Sequence, residues 1–497
     1  MKSYSLCING ESKDSKVKKD IINPATKEVL AMVSFADTRE VELAIESART
    51  AFDSGPWPSM SLAERKEILL KISDGILENL AQLAQIETLN SGKPIKETTF
   101  MDVPSSAETF KYFANNLEEF LKSEDKDIES KVSPAKASLF RQPRGVVALI
   151  VPFNYPLLIA SWKMAQALAS GNTIILKPAS LTPLSVLELG KIISNSGMPR
   201  GVVNIIPAKG EDVGKLLSAD KRIDMISFTG SNKVGRKILK HSAKNVKKLI
   251  MELGGKSASI ILKEADLEAA VNSSLCSIFL NQGQMCTAMS RILIDEAIYD
   301  DFVSDFIKKA EKIKLGNGLD FQTQMGPLIS ASQRESIIEH LEQAQTQGAK
   351  ILSGGKIPSD PDLKNGFFFE PTVLTDVNED MDIFKEEVFG PVVCLSKFSN
   401  INQSISLANK SDFALAASIW SKDEAKAREL AKKIDAGTIW INTYGMFYNE
   451  LPYGGFKQSG FGKELGKEGF LEYTRLKNVV IDAAKDSKPL VNYWYGF

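Results

Sequence analysis

The predicted fold class is α/β, and three observations predict it. Between residues 145 and 243, short apolar runs rich in β-branched residues alternate with helix-period segments, the pattern of a parallel sheet covered on both faces. A second alternation of the same kind begins after Ser257. The chain has 497 residues, 43% of them hydrophobic and 25% charged, which is enough for two or three soluble domains with ample core.

Taken in order, residues 8–34 hold short β-like runs broken by Asn-Gly and Asn-Pro turns. A helix starts near Thr38, where Asp37 can cap it and Val41, Ala44 and Ala48 share one face. Ser61-Leu62-Ala63-Glu64 is a capping-box pattern opening a second helix with Leu69, Leu70, Ile72 and Ile76 inward. Helix-rich sequence continues to about Leu121, followed by a charge-dense stretch at 122–129 and a β-like stretch at 135–141. Strands are then expected at 146–151, 173–176, 202–206 and 224–228, with helices at 157–169, 183–196 and 233–243 between and after them. In the second block, strands are expected at 258–262, 291–294 and 438–441, and helices at 267–278, 297–312 and 330–347. The tail from 478 reads as β-like and then aromatic.

Composition removes several function classes. Sixty-one basic residues against 62 acidic ones give a net charge of −1, so no basic footprint for nucleic acid or an anionic membrane is present. The N-terminal stretch lacks the apolar core of a signal peptide, and the most apolar run, 145–162, is broken by Pro152, Asn154 and Pro156. Four cysteines (Cys7, Cys276, Cys286 and Cys394) show no CxxC or zinc spacing, so no metal is expected and a reduced, cytoplasmic setting is. The two histidines, His241 and His340, lie in polar helix-like contexts and read as surface residues, a poor basis for Ser-His or Cys-His catalysis.

Two stretches carry chemistry. In Phe279-Leu280-Asn281-Gln282-Gly283-Gln284-Met285-Cys286-Thr287 an apolar entry gives way to amides and a glycine before one cysteine. A thiolate is the nucleophilic form, and a glycine three positions earlier lets the backbone turn sharply or approach a ligand. A buried cysteine acting as a small hydrophobe is the ordinary alternative. In Leu249-Ile250-Met251-Glu252-Leu253-Gly254-Gly255-Lys256 a carboxylate sits in an apolar run, where desolvation would raise its pKa and make it a base near neutral pH. A salt-bridged glutamate at a helix or strand end fits equally. The GxGxxG fingerprint is absent, and Gly255-Lys256-Ser257 lacks the first glycine of a P-loop.

With Pro152-Phe153-Asn154-Tyr155-Pro156, Leu176-Lys177-Pro178-Ala179-Ser180, Phe228-Thr229-Gly230-Ser231, Glu386-Glu387-Val388-Phe389-Gly390-Pro391 and Pro452-Tyr453-Gly454-Gly455-Phe456-Lys457-Gln458-Ser459-Gly460, these stretches resemble the NAD(P)-dependent aldehyde dehydrogenase superfamily over essentially the whole chain. The resemblance implies a Rossmann-type cofactor domain (1–122 and 143–256), an α/β catalytic domain (257–469) and a small β oligomerisation element (123–142 and 470–497). It implies a homodimer or homotetramer using NAD, with NADP also usable, on a small-molecule aldehyde. Catalytic roles fall on Cys286 (nucleophile), Asn154 (oxyanion donor), Glu252 (base), and Glu464 and Lys163 (proton relay), although Asn154 also suits an Asx turn. Phe153, Lys177, Ser180, Phe228, Gly230, Ser231, Glu387 and Phe389 match cofactor-binding positions. Ser180 stands where NAD-selective members often carry glutamate. Tyr155, Trp162, Phe447, Glu450 and Tyr453 match the substrate funnel and are similar to the betaine aldehyde branch, while Asp102, Pro104 and Ser105 depart from the paired aspartates often found there. A CoA-acylating relative commonly lacks the hydrolytic glutamate, and a silent member would have lost Cys286, Glu252 or Asn154.

Overall fold

The computed structural model describes residues 2–130, 134–483 and 495. Its centre is an eight-stranded sheet whose parallel core is β1 (Val146–Ile150), β2 (Thr173–Lys177), β3 (Val203–Ile205), β4 (Met225–Thr229) and β5 (Lys248–Glu252), in spatial order 5-4-1-2-3. Every residue of β1 is buried, which is why that run carries no polar alternation. The crossovers are α1 (Pro156–Ala169), α2 (Leu184–Asn195), α3 (Glu211–Ala219) and, after β4, α4 (Asn232–Ser242). From β1 the chain first moves to β2 and β3, then returns to place β4 on the other side. This reversal opens a crevice at the C-terminal ends of β1 and β4, the usual ligand position in such sheets.

The second sheet has seven strands. Its parallel members are β6 (Ala258–Ile261), β7 (Arg291–Asp295), β8 (Thr372–Thr375), β9 (Val392–Phe398), β10 (Ala416–Trp420) and β11 (Thr438–Ile441), in order 8-9-7-6-10-11, with Lys350–Ser353 antiparallel on the β8 edge. Helix α5 (Leu267–Phe279) joins β6 to the loop that precedes β7. The chain leaves the end of β5 and enters β6 within a few residues, so the C-terminal edge of the first sheet meets the N-terminal edge of the second. That seam holds the candidate site.

Asp37 and Ser61 both complete capping boxes, with Glu40 and Glu64 answering them, at the starts of helices Thr38–Asp53 and Leu62–Glu78. The charge-dense stretch forms strand Glu124–Ile128, which pairs with Ala135–Pro143. That strand pairs in turn with Thr474–Asp482 in a three-stranded antiparallel sheet. The aromatic part of the tail lies outside the described residues, apart from Tyr495. Two-residue strand Gly460–Phe461, from the segment expected in the second domain, hydrogen-bonds to β5 and forms an edge of the first sheet. Both histidines are half-buried rather than on open surface, and the His340 ring meets the Ser336 carbonyl at 2.7 Å. Among the described residues, no helix is long and apolar enough to cross a membrane, and no acidic, histidine or cysteine cluster has metal-binding geometry.

Candidate active site

Each chemical side chain is placed by the end of an element. Phe153 and Asn154 follow β1, Lys177 closes β2, Gly230 and Ser231 follow β4, and Glu252 closes β5. Cys286 follows α5 through a tight turn in which Asn281, Gln282 and Gly283 all have left-handed backbones (φ 47°, 56° and 70°). A side chain on Gly283 would meet the Gly390 carbonyl oxygen at 2.1 Å, so glycine is required there on two counts. The turn is held from outside. Glu97 accepts the Asn281 N–H (3.2 and 3.3 Å), and Asn281 Nδ2 donates to the Asn154 carbonyl (2.9 Å). Asn154 Nδ2 donates to the Gln284 carbonyl at 2.8 Å, which fixes its amide against the backbone two residues before the cysteine.

Cys286 and Glu252 line one cavity of about 570 Å³. Burial pushes the Cys286 thiol up to about 12, opposed by a contact with the Tyr453 hydroxyl and reinforced by the Glu387 and Glu252 carboxyls. Glu252 is 3% exposed, and neither of its carboxyl oxygens has a hydrogen-bond partner. Burial holds its pKa well above the ordinary carboxyl value, with Lys163 opposing and Glu464 reinforcing the shift. A Cβ on Gly454 would come within 2.5 Å of Glu252 Oε1, so that glycine leaves the carboxyl its room.

Glu464 is fully engaged. Its Oε1 accepts from Lys163 Nζ (2.7 Å) and the Ser227 hydroxyl (2.6 Å), its Oε2 accepts from Gln166 Nε2 (2.7 Å), and the Tyr473 hydroxyl reaches both oxygens at 3.2 Å. Lys163 is completely buried in this pair. The two expected relay residues therefore meet each other, while Glu252 hydrogen-bonds to neither.

Most of the expected cofactor residues lie at or just after the C-terminal ends of β1, β2 and β4, and Glu387 and Phe389 lie in the loop before β9. Ser231 is the N-cap of α4, yet its hydroxyl makes no capping bond, so it remains free at a helix N-terminus that favours phosphate. The Glu387 carboxylate accepts the Gly255 N–H at 2.9 Å and would lie 2.3 Å from a Cβ on Gly254, and burial raises its pKa to about 7. The Phe389 and Phe153 rings pack edge-on at 5.7 Å. Burial lowers the Lys177 pKa to about 8, and Ser180 is half-buried in the loop after it. Phe228 instead points into the core, where its ring lies against the backbones of Gly230 and Gly235. It supports the turn from below.

On the cavity wall, Trp162, Phe447 and Tyr453 form a triangle with ring centroids 5.4–6.0 Å apart. Glu450 is exposed and lines the opening. Tyr155 also lines the cavity, but Lys93 Nζ sits 4.0 Å from its ring centroid and occupies one aromatic face. Lys93 is buried and paired with Asp102, beside Glu87 and Glu97, whose pKa values burial raises to about 7 and 8.

Sequence reasoning missed Gln166, Ser227 and Tyr473 around Glu464, Glu97 behind the cysteine turn, and Tyr444, whose hydroxyl lies 3.3 Å from that of Thr287. A signal existed for Gln166: it and Lys163 are polar side chains one turn apart on a helix buried along most of its length. Tyr473 and Ser227 carry no local signal, because their partner is distant in sequence.

An aldehyde dehydrogenase family model matches residues 11–479. Betaine aldehyde dehydrogenase of Bacillus subtilis (strain 168) is 43% identical over 495 residues, covering 99% of each chain. Human retinaldehyde dehydrogenase 3 is 39% identical over 490 residues, covering 97% of this chain and 93% of that protein. The crystal structure of Staphylococcus aureus betaine aldehyde dehydrogenase in complex with NAD+ superposes with a TM-score of 0.95 at 41% identity, over 99% of this chain and 96% of that one. On a match of this extent, the chain belongs to the aldehyde dehydrogenase family and is an oxidoreductase acting on aldehydes.

Proposed function

We propose that the chain oxidises a small cationic aldehyde, betaine aldehyde first, to its carboxylic acid with NAD+. One observation carries the chemistry: Cys286 and an unpartnered, buried Glu252 face the same cavity at the end of a nucleotide-type crevice. The Cys286 sulfur attacks the carbonyl carbon, forming a C–S bond and moving the carbonyl electrons onto oxygen. Asn154 uses one amide hydrogen on Gln284 and has the other for that oxyanion. Bound NAD+ supplies the hydride acceptor, and Ser231, Lys177, Glu387, Phe389 and Phe153 are the residues that would hold it. A thioester then remains on Cys286. Glu252 takes a proton from water, whose oxygen displaces the sulfur and releases the acid. NADP+ is expected to serve as well, because Ser180 places no carboxylate near a 2′-phosphate and Lys177 lies close in the chain.

For the substrate, the aromatic triangle and Glu450 offer π faces and negative charge to a trimethylammonium group, each well-placed ring contributing about 0.5–2 kcal/mol. The relatives named for betaine aldehyde support the same reading. A neutral aliphatic or aromatic aldehyde is the second reading, favoured by Leu158, Ile159, Leu280 and Met285 on the same cavity. We assign 1–122 with 143–256 to cofactor binding, 257–469 to catalysis, and 123–142 with 470–497 to homodimer or homotetramer contacts. Exposed Leu476, Val479, Val480 and Ile481 on strand Thr474–Asp482 support the last assignment.

The test compares betaine aldehyde with the neutral isostere 3,3-dimethylbutanal, following NADH or NADPH absorbance with each cofactor. The cationic substrate is expected to show the higher kcat/KM by about tenfold or more, with activity on both cofactors. Equal efficiencies, unaltered by Glu450→Gln, would remove the cationic reading. A deficit of several orders of magnitude with NADP+ would remove the dual-cofactor one.

A further inference from the structure

Tyr453 was expected only as an aromatic surface for substrate, yet its hydroxyl lies 3.3 Å from the Cys286 sulfur. That position is fixed from three directions. The ring packs edge-on against Trp162 (5.4 Å) and Phe447 (5.6 Å). The backbone is tied to Glu464 by two hydrogen bonds, Tyr453 N–H to the Glu464 carbonyl (2.6 Å) and the Glu464 N–H to the Tyr453 carbonyl (2.8 Å). The next residue, Gly454, has a left-handed φ of 146° and abuts the Glu252 carboxyl. One short segment thus contacts the nucleophile, the candidate base and the buried Glu464 network.

We propose that the Tyr453 hydroxyl is a catalytic group of this site, donating a hydrogen bond to the Cys286 sulfur and stabilising it as the thiolate. The inference rests on Cys286 being the nucleophile. Other titratable groups face the sulfur. Glu252 at the end of β5 and Glu387 from the loop before β9 disfavour its negative charge, and the buried Tyr155 and Tyr444 phenols lie within electrostatic reach of it. Burial holds the Tyr453 phenol well above its ordinary pKa, so it remains a donor across the working pH range. A hydrogen bond to a charged acceptor is stronger than one to a neutral acceptor, so this contact favours the thiolate over the thiol.

Tyr453→Phe keeps the ring and removes only the donor. In the full-length protein, the rate of alkylation of Cys286 by iodoacetamide at a fixed pH between about 7 and 9, read by mass spectrometry at that residue, is expected to fall several-fold because less thiolate is present. At neutral pH, kcat should fall about tenfold with little change in KM. Replacing Tyr453 with a ring-fluorinated tyrosine, a stronger donor of nearly the same shape, should raise the alkylation rate, which keeps the test open if the Phe variant folds poorly. An unchanged or raised alkylation rate in Tyr453→Phe, or a rise in KM with kcat intact, would return Tyr453 to a packing role. Alkylation needs no turnover, so it reports on this contact even if Cys286→Ala were to retain activity and the nucleophile assignment failed.

Discussion

Glu252 and Glu464 are buried carboxyls on the same cavity, and the protein treats them in opposite ways. Glu464 is surrounded by Lys163, Ser227, Gln166 and Tyr473. The Glu252 carboxyl has no hydrogen-bond partner, and burial drives its pKa up. Burial alone therefore does not assign a role. A carboxylate whose lone pairs are already occupied ties elements together, here α1, β4 and the segment after Tyr453. One left empty at a cost of desolvation has its oxygens free for a water molecule.

The contrast can be broken at several points. Cys286→Ala should abolish dehydrogenase turnover, measured as NADH production, while thermal unfolding and cofactor binding stay near wild type. Retained turnover would mean that neither carboxyl serves this sulfur. Glu252→Gln should lower steady-state turnover by about 10²–10⁴ and leave a rapid burst of NADH with thioester trapped on Cys286. Equal loss of burst and steady state would give Glu252 an earlier role. Glu464→Gln should act chiefly on stability, because it strands the buried Lys163 charge. A loss of about 3–5 kcal/mol in urea unfolding is expected, against no loss, and above the ordinary carboxyl pKa a gain, for Glu252→Gln, and the reverse ranking would undo the comparison.

The smallest effect is in pH dependence. With its native pKa raised, Glu252 keeps a proton in the folded state that the unfolded chain has already released. Its contribution to stability is complete below the ordinary carboxyl value. It is lost as pH rises from there through the native value, at no more than about 1.4 kcal/mol per pH unit. Glu252→Gln should flatten that part of the stability profile, and the hydrolytic step should quicken over the same rise in pH.

What was legible followed the range of the forces involved. Strands such as β1 and β4 announce themselves because burial on both faces demands continuous apolar residues. The capping boxes at Asp37 and Ser61 are local chemistry, completed by Glu40 and Glu64 three positions later. Helix Glu211–Ala219 escaped notice because Gly214 and its charged start dilute the pattern, and a two-residue edge strand such as Gly460–Phe461 leaves no periodicity to read. At the site, Cys286, Glu252 and Asn154 stood out through their motifs. The use of one Tyr155 face by Lys93, the filling of Glu464 and the contact between Tyr453 and Cys286 all depend on residues brought together only by the packed sheets.

The turn of Asn281, Gln282 and Gly283 has a consequence in time rather than in space. Left-handed backbone disfavours ordinary residues by roughly 1–2 kcal/mol each, asparagine less than most, so Gln282 above all, and Asn281 to a smaller degree, are uphill in an isolated chain. The contacts that offset them come from Glu97 and Asn154, well over a hundred positions earlier. Such distant contacts carry a large closure entropy and form late. The cysteine is thus set in its reactive orientation only once both sheets have docked, and a half-folded chain carries it as an ordinary thiol. Hydrogen exchange during refolding would show it: the Asn281 amide should gain protection after those of β1 and β4.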